Sequence, residues 1–157
     1  DGGPVIAEKF FALKSNYDIK KVHDICNKIF PKLLYKSIKK MTKQEKPFLK
    51  KSKKKEVYFN QRKEEDGQID WNNFDSIKVF NFVRALTKPY PGAFSFNKNK
   101  KKILIYKCKR VNLVKKGYVP GQVLKTKNKI YIKTKKNFVK LIKFKGKLKS
   151  NELLTSN

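Results

Sequence analysis

The sequence predicts an α+β protein with a helix-bearing N-terminal part, a middle segment built around a second helix, and a β-rich C-terminal part. Three observations carry this. Val22, Ile25, Cys26, Ile29, Leu33 and Ile38 recur at helical spacing behind Asp18. Ile77, Phe80, Val83 and Leu86 recur the same way behind Asp75. After Gly92, short runs such as KIYIKT alternate with Asn, Gly and Lys turns, and the helical period disappears. The expected boundaries are residues 1–55, 56–91 and 92–157.

Taken in order, Val5 to Leu13 is a strand candidate, with Ile6, Phe10 and Leu13 not quite alternating. Asp18 caps the first helix, and Pro31 is expected to kink or break it near Ile29. His23 lies on this helix as a solvated or satisfied side chain rather than a catalytic one. Lys39 to Lys55 is almost all lysine around Pro47 and reads as a mobile connector. Six of the chain's twelve acids then fall between Glu56 and Asp75, and EEDG is a turn in which Gly67 supplies unusual backbone angles. Phe74-Asp75-Ser76 opens the second helix, which Pro89 and Pro91 end. AFSF, KKILIYKCKRV, GQVLK, KIYIKT and FVKLIKF follow as strands, with Ile103, Ile105 and Tyr106 on one face, and their number and length point to a small Greek-key barrel of the OB type.

Composition limits the function classes. Aromatics at 13% supply a core despite a net charge of +29. No apolar run approaches the roughly 20 residues that span a bilayer, so no membrane partner is expected, and two cysteines without a redox or metal spacing make a reduced cytoplasmic setting the expectation. Two distant cysteines and one histidine build no zinc site. The charge itself has two readings. A basic surface can serve a polyanion. Yet 38 of the 41 basic residues are lysine, and thirteen asparagines accompany them, which is the drift an adenine-rich coding sequence leaves on solvated faces. Under the second reading the three arginines, Arg62, Arg84 and Arg110, are informative, because they persist where lysine is the habit and the planar fork is not replaceable by a point charge.

Ile69 to Phe96 holds the single tryptophan, a Pro-Tyr-Pro-Gly corner, and two lysines, Lys78 and Lys88. Around it, Arg-x(3)-Asp-Gly-x-Ile-Asp-Trp starting at Arg62 combines with Arg-Ala-x(3)-Pro-Tyr-Pro-Gly-Ala-Phe starting at Arg84. This combination resembles the second half of the folate-dependent formyltransferases, which include methionyl-tRNA formyltransferases and the amino-sugar formyltransferases that act on nucleotide-linked sugars. DGGPVIAEKFF resembles the segment that closes that family's catalytic domain, with its Asp-x-Gly pattern. The helix from Asp18 fits the one that follows, and the region after Gly92, with PGQVL in its middle, is similar to the family's C-terminal β domain.

The resemblance implies that residues 1–55 are the end of a Rossmann-like catalytic domain, that 56–91 form a linker helix and inter-domain seam, and that 92–157 form the OB-like domain. It implies a packed seam, with Trp71, Phe80, Val83, Leu86 and Phe94 as core. It also implies formyl transfer from 10-formyltetrahydrofolate to an amine, with Asp1 as the assisting aspartate of the Asp-x-Gly pattern. The family's Asn-x-His is expected upstream of Asp1, so the chain is expected to be an N-terminally truncated, inactive portion. Arg62, Arg84 and Tyr90 are the candidate substrate-binding residues: the arginines for an anionic group, or else for ion pairs with the local acids, and the Pro-flanked Tyr90 for a base or for the seam. The arginine before the acidic turn favours a nucleotide-linked amino sugar as substrate, with tRNA as the alternative. A stand-alone basic nucleic-acid-binding module is a third reading, and it requires Tyr106, Tyr118 and Tyr131 to be exposed.

Overall fold

The computed structural model describes residues 5–43 and 57–155. The chain divides into two compact units, Asp1–Gln61 and Arg62–Asn157.

In the first unit the described residues form one helix, α1 (Ile19–Thr42). The Asp18 side chain accepts a hydrogen bond from the Lys21 N–H at 3.0 Å and so satisfies a donor the helix cannot satisfy itself. Of the kink or break expected near Ile29, the break does not occur, and α1 runs through Pro31. It removes one N–H from a long helix, and the bonds on either side hold the segment. The strand expected over Val5–Leu13 is absent. A strand needs a ladder partner, and no pairing partner for these residues stands among those described. Of the connector expected over 39–55, Lys39 to Thr42 form the last turn of α1, and residues 44–55 lie outside the described residues.

The second unit holds a 3₁₀ turn over Glu65–Gly67, helix α2 (Ser76–Leu86), and five strands: β1 (Ala93–Phe96), β2 (Lys102–Val111), β3 (Val123–Thr126), β4 (Lys129–Lys133) and β5 (Phe138–Lys145). All five strands coincide with the runs read from the sequence. They form one antiparallel sheet in the order β1-β2-β5-β4-β3. No ladder joins β1 to β3, so the sheet is open where a closed barrel was expected. The C-terminal tail lies against both edges instead, through bridges from Phe96 to Thr155 and from Gln122 to Leu153.

PGQVL is explained by that tail. Gly121 has φ +83°, and a Cβ there would stand 2.5 Å from the Leu154 carbonyl oxygen, whose own residue donates its N–H to the Gly121 carbonyl at 3.0 Å. Only glycine allows both the angle and the approach. Gly67 is different. Its φ is not in the left-handed region, contrary to the sequence reading. Its Cβ would instead meet the Phe94 ring at 3.3 Å, so a close approach rather than an unusual angle selects glycine.

The core lies between α2 and the sheet, where Ile69, Trp71, Val79, Val83, Ile103, Ile105, Ile132 and Val139 are buried. The face α2 buries is Ser76, Val79 and Val83, with Phe80 and Leu86 partly covered. Ile77, expected on that face, is 51% exposed. In β2 the pairing register slips between Ile105 and Cys108, so that the buried positions pass from Ile103 and Ile105 to Cys108. Tyr106, next in sequence to Ile105, lies on the opposite face by ordinary strand alternation, contrary to the sequence reading, and its ring packs against Gly92, where a Cβ would stand 2.8 Å from the tyrosine Cε1.

Candidate functional site

The segment that avoids lysine is held as one piece. Ile69 donates its N–H to the Phe94 carbonyl at 2.8 Å, next to the parallel bridge of Gln68 with Phe94. The buried Trp71 donates its indole N–H to Ser95 Oγ at 3.0 Å, and Ser95 donates in turn to the Thr155 carbonyl at 2.9 Å. A tryptophan, a strand serine and the tail backbone thus share one buried hydrogen-bond chain, which satisfies the polar edge of the largest core ring. This accounts for Trp71 and Phe94 as core. Ser95 was not anticipated, because a lone serine in a strand carries no sequence signal.

The acids that cluster before α2 shape backbone. Asp75 caps α2 by accepting from the Lys78 N–H at 2.7 Å. Asp70 accepts from the backbone N–H groups of Asn72 and Asn73, both at 3.2 Å, and from the Asn73 side-chain amide at 2.7 Å. The Asn73 amide foremost, then the two backbone donors and the charge of Lys78, hold the Asp70 carboxyl below its usual value against partial desolvation. Asp66 accepts from the Lys63 N–H at 2.8 Å. Glu64 forms an ion pair with Lys102, which also stands 3.9 Å from the centre of the Phe94 ring.

The sequence-derived site residues scatter. Asp1 lies outside the described residues. Arg62 is exposed and, among the described residues, makes no hydrogen bond, ion pair or ring contact, so the local acids serve the backbone and Lys102 rather than Arg62. Tyr90 is 42% exposed in the loop between Pro89 and Pro91, and its N–H is donated to the Thr87 carbonyl at 3.1 Å. Arg84 is half-buried on α2 and donates Nε–H to Asn81 Oδ1 at 2.9 Å. Its guanidinium carbon stands 5.7 Å from the centre of the Phe80 ring, and that of Arg110 on β2 stands 5.8 Å from the same ring. Two of the three arginines therefore converge on one aromatic, although 26 positions separate them.

From Ser76 to Thr155 the chain has 23 lysines and arginines and a single acid, the buried Glu152, which accepts from the Lys149 N–H at 2.9 Å. Lys107 stands opposite Lys143 and Lys109 opposite Lys140 across β2 and β5. Tyr106, Tyr118 and Tyr131 are half-buried rather than exposed, and Tyr118 packs edge-on against Phe138.

No group of side chains able to hold a metal ion stands among the described residues. A groove of about 710 Å³ runs between Val5–Ala7 and α1 in the first unit, lined by Ile6, Phe30, Pro31, Leu33 and Leu34, with Asn27 and Ser37 as its polar groups. Two uncharged side chains in an open apolar groove do not supply the row of donors and acceptors a pterin ring requires, so this groove does not fit a folate. No helix among the described residues is long and apolar enough to cross a membrane.

A short tryptophan-anchored segment, a capped helix and a five-stranded antiparallel sheet tied by its tail make up a small α+β domain. Residues 62–155 match the family described as formyl transferase, C-terminal domain, and the chain belongs to that family. It is 35% identical over 141 residues to the bifunctional polymyxin resistance protein ArnA of Wigglesworthia glossinidia brevipalpis, covering 83% of this chain and 20% of that protein. It is 27% identical over 143 residues to the methionyl-tRNA formyltransferase of Thermodesulfovibrio yellowstonii, covering 90% of this chain and 44% of that protein. The chain thus spans less than half the length of either relative. Among solved structures, a variant of HypX from Aquifex aeolicus superposes with a TM-score of 0.60 at 21% identity over 90% of this chain and 25% of HypX. HypX in complex with tetrahydrofolic acid gives 0.53 at 22% identity, over 89% of this chain and 24% of HypX. At such identity these likenesses show the fold alone.

Proposed function

We propose that the chain is the C-terminal portion of an enzyme that moves a formyl group from 10-formyltetrahydrofolate to the amine of a nucleotide-linked amino sugar, and that these residues alone do not catalyse the transfer. The observation that carries the class is the family match over residues 62–155, which spans both halves of the motif. The folate donor is supported by the tetrahydrofolic acid bound to the structurally similar HypX. Because the apolar groove beside α1 does not fit a folate, we assign the donor site to the rest of the whole enzyme.

In the whole enzyme the acceptor amine would attack the formyl carbon while preorganised donors stabilise the developing oxyanion; a base would remove the ammonium proton, and the bond from the formyl carbon to the folate nitrogen would break as that nitrogen takes up a proton, leaving tetrahydrofolate. Asp1 is the residue of this chain assigned to assist that proton transfer. Arg62, Arg84 and Tyr90 are assigned to the acceptor, the arginines to its anionic part and Tyr90 to a base or sugar face. The C-terminal domain is proposed as an OB-like barrel in which the tail completes the circuit between β1 and β3. Arginine ahead of the acidic turn supports the amino-sugar acceptor.

One observation favours a second reading, transfer to methionyl-tRNA with the β domain gripping the nucleic acid. Cross-strand lysine pairs are mutually repulsive, and a phosphate backbone offsets that repulsion. The half-buried tyrosines weigh against the third reading, a stand-alone module that stacks bases.

The test is a formylation assay with the gene product that carries this chain, offered nucleotide-linked amino sugars and methionyl-tRNA side by side with 10-formyltetrahydrofolate. Formylated amino sugar is expected. Formylated methionyl-tRNA without formylated sugar would install the second reading, and turnover by these 157 residues alone would overturn the assignment of catalysis to a larger enzyme.

A further inference from the structure

We propose that the sheet face turned away from α2, which carries Lys107, Lys109, Lys140, Lys143 and Ile142, docks on an anionic lipid surface. Lysines face each other there. Lys107 is paired with Lys143 and Lys109 with Lys140 across β2 and β5, which sets the Cβ atoms of each pair about 5 Å apart. Cys108, Val139 and Leu141 belong to the core beneath α2, so strand alternation turns Lys107, Lys109 and Lys140 to the other face. Lys143 follows its partner Lys107. Lys107, Lys109 and Lys143 are exposed, and Lys140 is half-buried.

Like charges directly opposite one another destabilise a sheet, and the surrounding fold does not offset these. The salt bridges among the described residues are Lys20–Asp24 and Lys102–Glu64, and β2, β4 and β5 contain no acid. The single acid from Ser76 to Thr155, Glu152, is buried and bonded to the Lys149 N–H. An extended anionic partner supplies the missing countercharge. Its class follows from what stands beside the lysines. A bulge leaves Ile142 unpaired next to Lys143, and Ile142 is 42% exposed. An aliphatic side chain set among ammonium groups suits the boundary between headgroups and acyl chains, where the charges meet lipid phosphates and the side chain leaves water. A nucleic acid calls instead for exposed rings to stack on its bases, and Tyr131, opposite Lys140 on β4, is half-buried. The want of a membrane-crossing helix among the described residues, from which no membrane partner was expected, bears on spanning a bilayer and not on lying against one. The inference goes beyond the proposed function and holds for either acceptor.

The test sediments the full chain with vesicles of phosphatidylcholine alone and of phosphatidylcholine with phosphatidylserine, with transfer RNA offered in parallel. Binding is expected to the phosphatidylserine vesicles only, and it should weaken with salt. K107Q/K143Q and K109Q/K140Q each remove one facing pair, and K98Q/K101Q removes the same charge from exposed positions between β1 and β2. A lysine at an anionic bilayer is worth about fivefold in partition, so each facing pair should cost at least about tenfold and K98Q/K101Q about twofold or less. I142A should cost about threefold through lost apolar contact. The pair variants relieve repulsion, so their melting temperatures should not fall, and each pair checks the other should one variant fail to fold. Equal loss in K98Q/K101Q would overturn the face in favour of diffuse charge. No binding to phosphatidylserine vesicles would overturn it outright. Transfer RNA bound through the same lysines, with vesicle binding unaltered in I142A, would overturn the lipid and give the face to nucleic acid.

Discussion

Helices α1 and α2 begin alike and end differently. Each has an aspartate at its N-cap whose side chain accepts from the third residue's N–H, at 3.0 Å for Asp18 and 2.7 Å for Asp75. Each shows apolar residues at helical spacing. Yet none of the 24 residues of α1 is buried, whereas Ser76, Val79 and Val83 of the 11-residue α2 are. Capping and periodicity are local properties, and the sequence displays them plainly. Burial depends on what the rest of the fold brings to the face, and α2 has a five-stranded sheet beneath it.

Replacement of core in one unit and of the apolar stripe in the other gives the largest expected contrast. Trp71→Ala removes a ring that is 3% exposed and the donor that Ser95 Oγ accepts from, and should cost about 3–5 kcal/mol in chemical denaturation of the second unit. Leu34→Ala acts at a site 62% exposed and should cost no more than about 0.5 kcal/mol. Equal losses would mean that α1 is packed in solution.

The two cysteines divide between the same two units and offer a contrast in rate. Cys108 is buried, and desolvation pushes its thiol up to about 12. At pH 8 only about one part in ten thousand is then thiolate, and access requires opening of the sheet. Cys26, half-buried on α1, should react with a thiol reagent at least roughly a hundredfold faster than Cys108 in the native protein. In denaturant the two should react alike. Comparable native rates would contradict the burial of Cys108 between β2 and its neighbours.

The caps give a smaller effect that separates helix from unit. Asp75→Ala should lower the stability of the second unit by about 1 kcal/mol, because α2 and the sheet unfold together. Asp18→Ala removes the same kind of bond, but without burial its loss should appear as reduced helicity of α1 in circular dichroism rather than as a shift in the cooperative transition. A shifted transition in Asp18→Ala would join the fates of the two units.

How much of this was legible follows the same division. Strands β1 to β5 were readable because KIYIKT and its neighbours carry their own alternation, and α2 because Asp75 and Pro89 bracket its period. The motif around Trp71 and Pro91 gave the family. Tyr106 was misplaced because alternation sets it opposite Ile103 and Ile105, whereas the slip that gives the buried phase to Cys108 is marked by nothing in KKILIYKCKRV. Val5–Leu13 was misread because an apolar stretch does not disclose whether a partner strand exists. Pro31 was overweighted as a helix breaker, since a long helix tolerates one lost bond. Of the candidate site, Arg84 was visible through the rarity of arginine. Its relation to Phe80 and Arg110 was not, because a contact between α2 and β2 belongs to tertiary structure.

Asp70 provides the finest test, because the fold gives this acid of the motif a structural task. Its carboxylate organises the turn from Asp70 to Phe74, where the Phe74 N–H is also donated to the Asp70 carbonyl at 2.9 Å, and this turn sets Trp71 inward and delivers Asp75 to the start of α2. Its folded value lies below the usual 3.8, with the Asn73 amide as the first cause. A lowered folded value means the unfolded chain takes up the proton first. The stabilisation is therefore fully present above the unfolded value and is lost as the pH falls through the folded one. Between pH 5 and about 2 the wild type should lose a small increment of stability that Asp70→Asn does not lose, with the two curves parallel above pH 5. An NMR titration of the Asp70 carboxyl should show its midpoint under 3.8, and Asn73→Ala should move it upward. A midpoint at or above 3.8 would remove the carboxylate from the turn, and with it the structural reason for acid at this position of the motif.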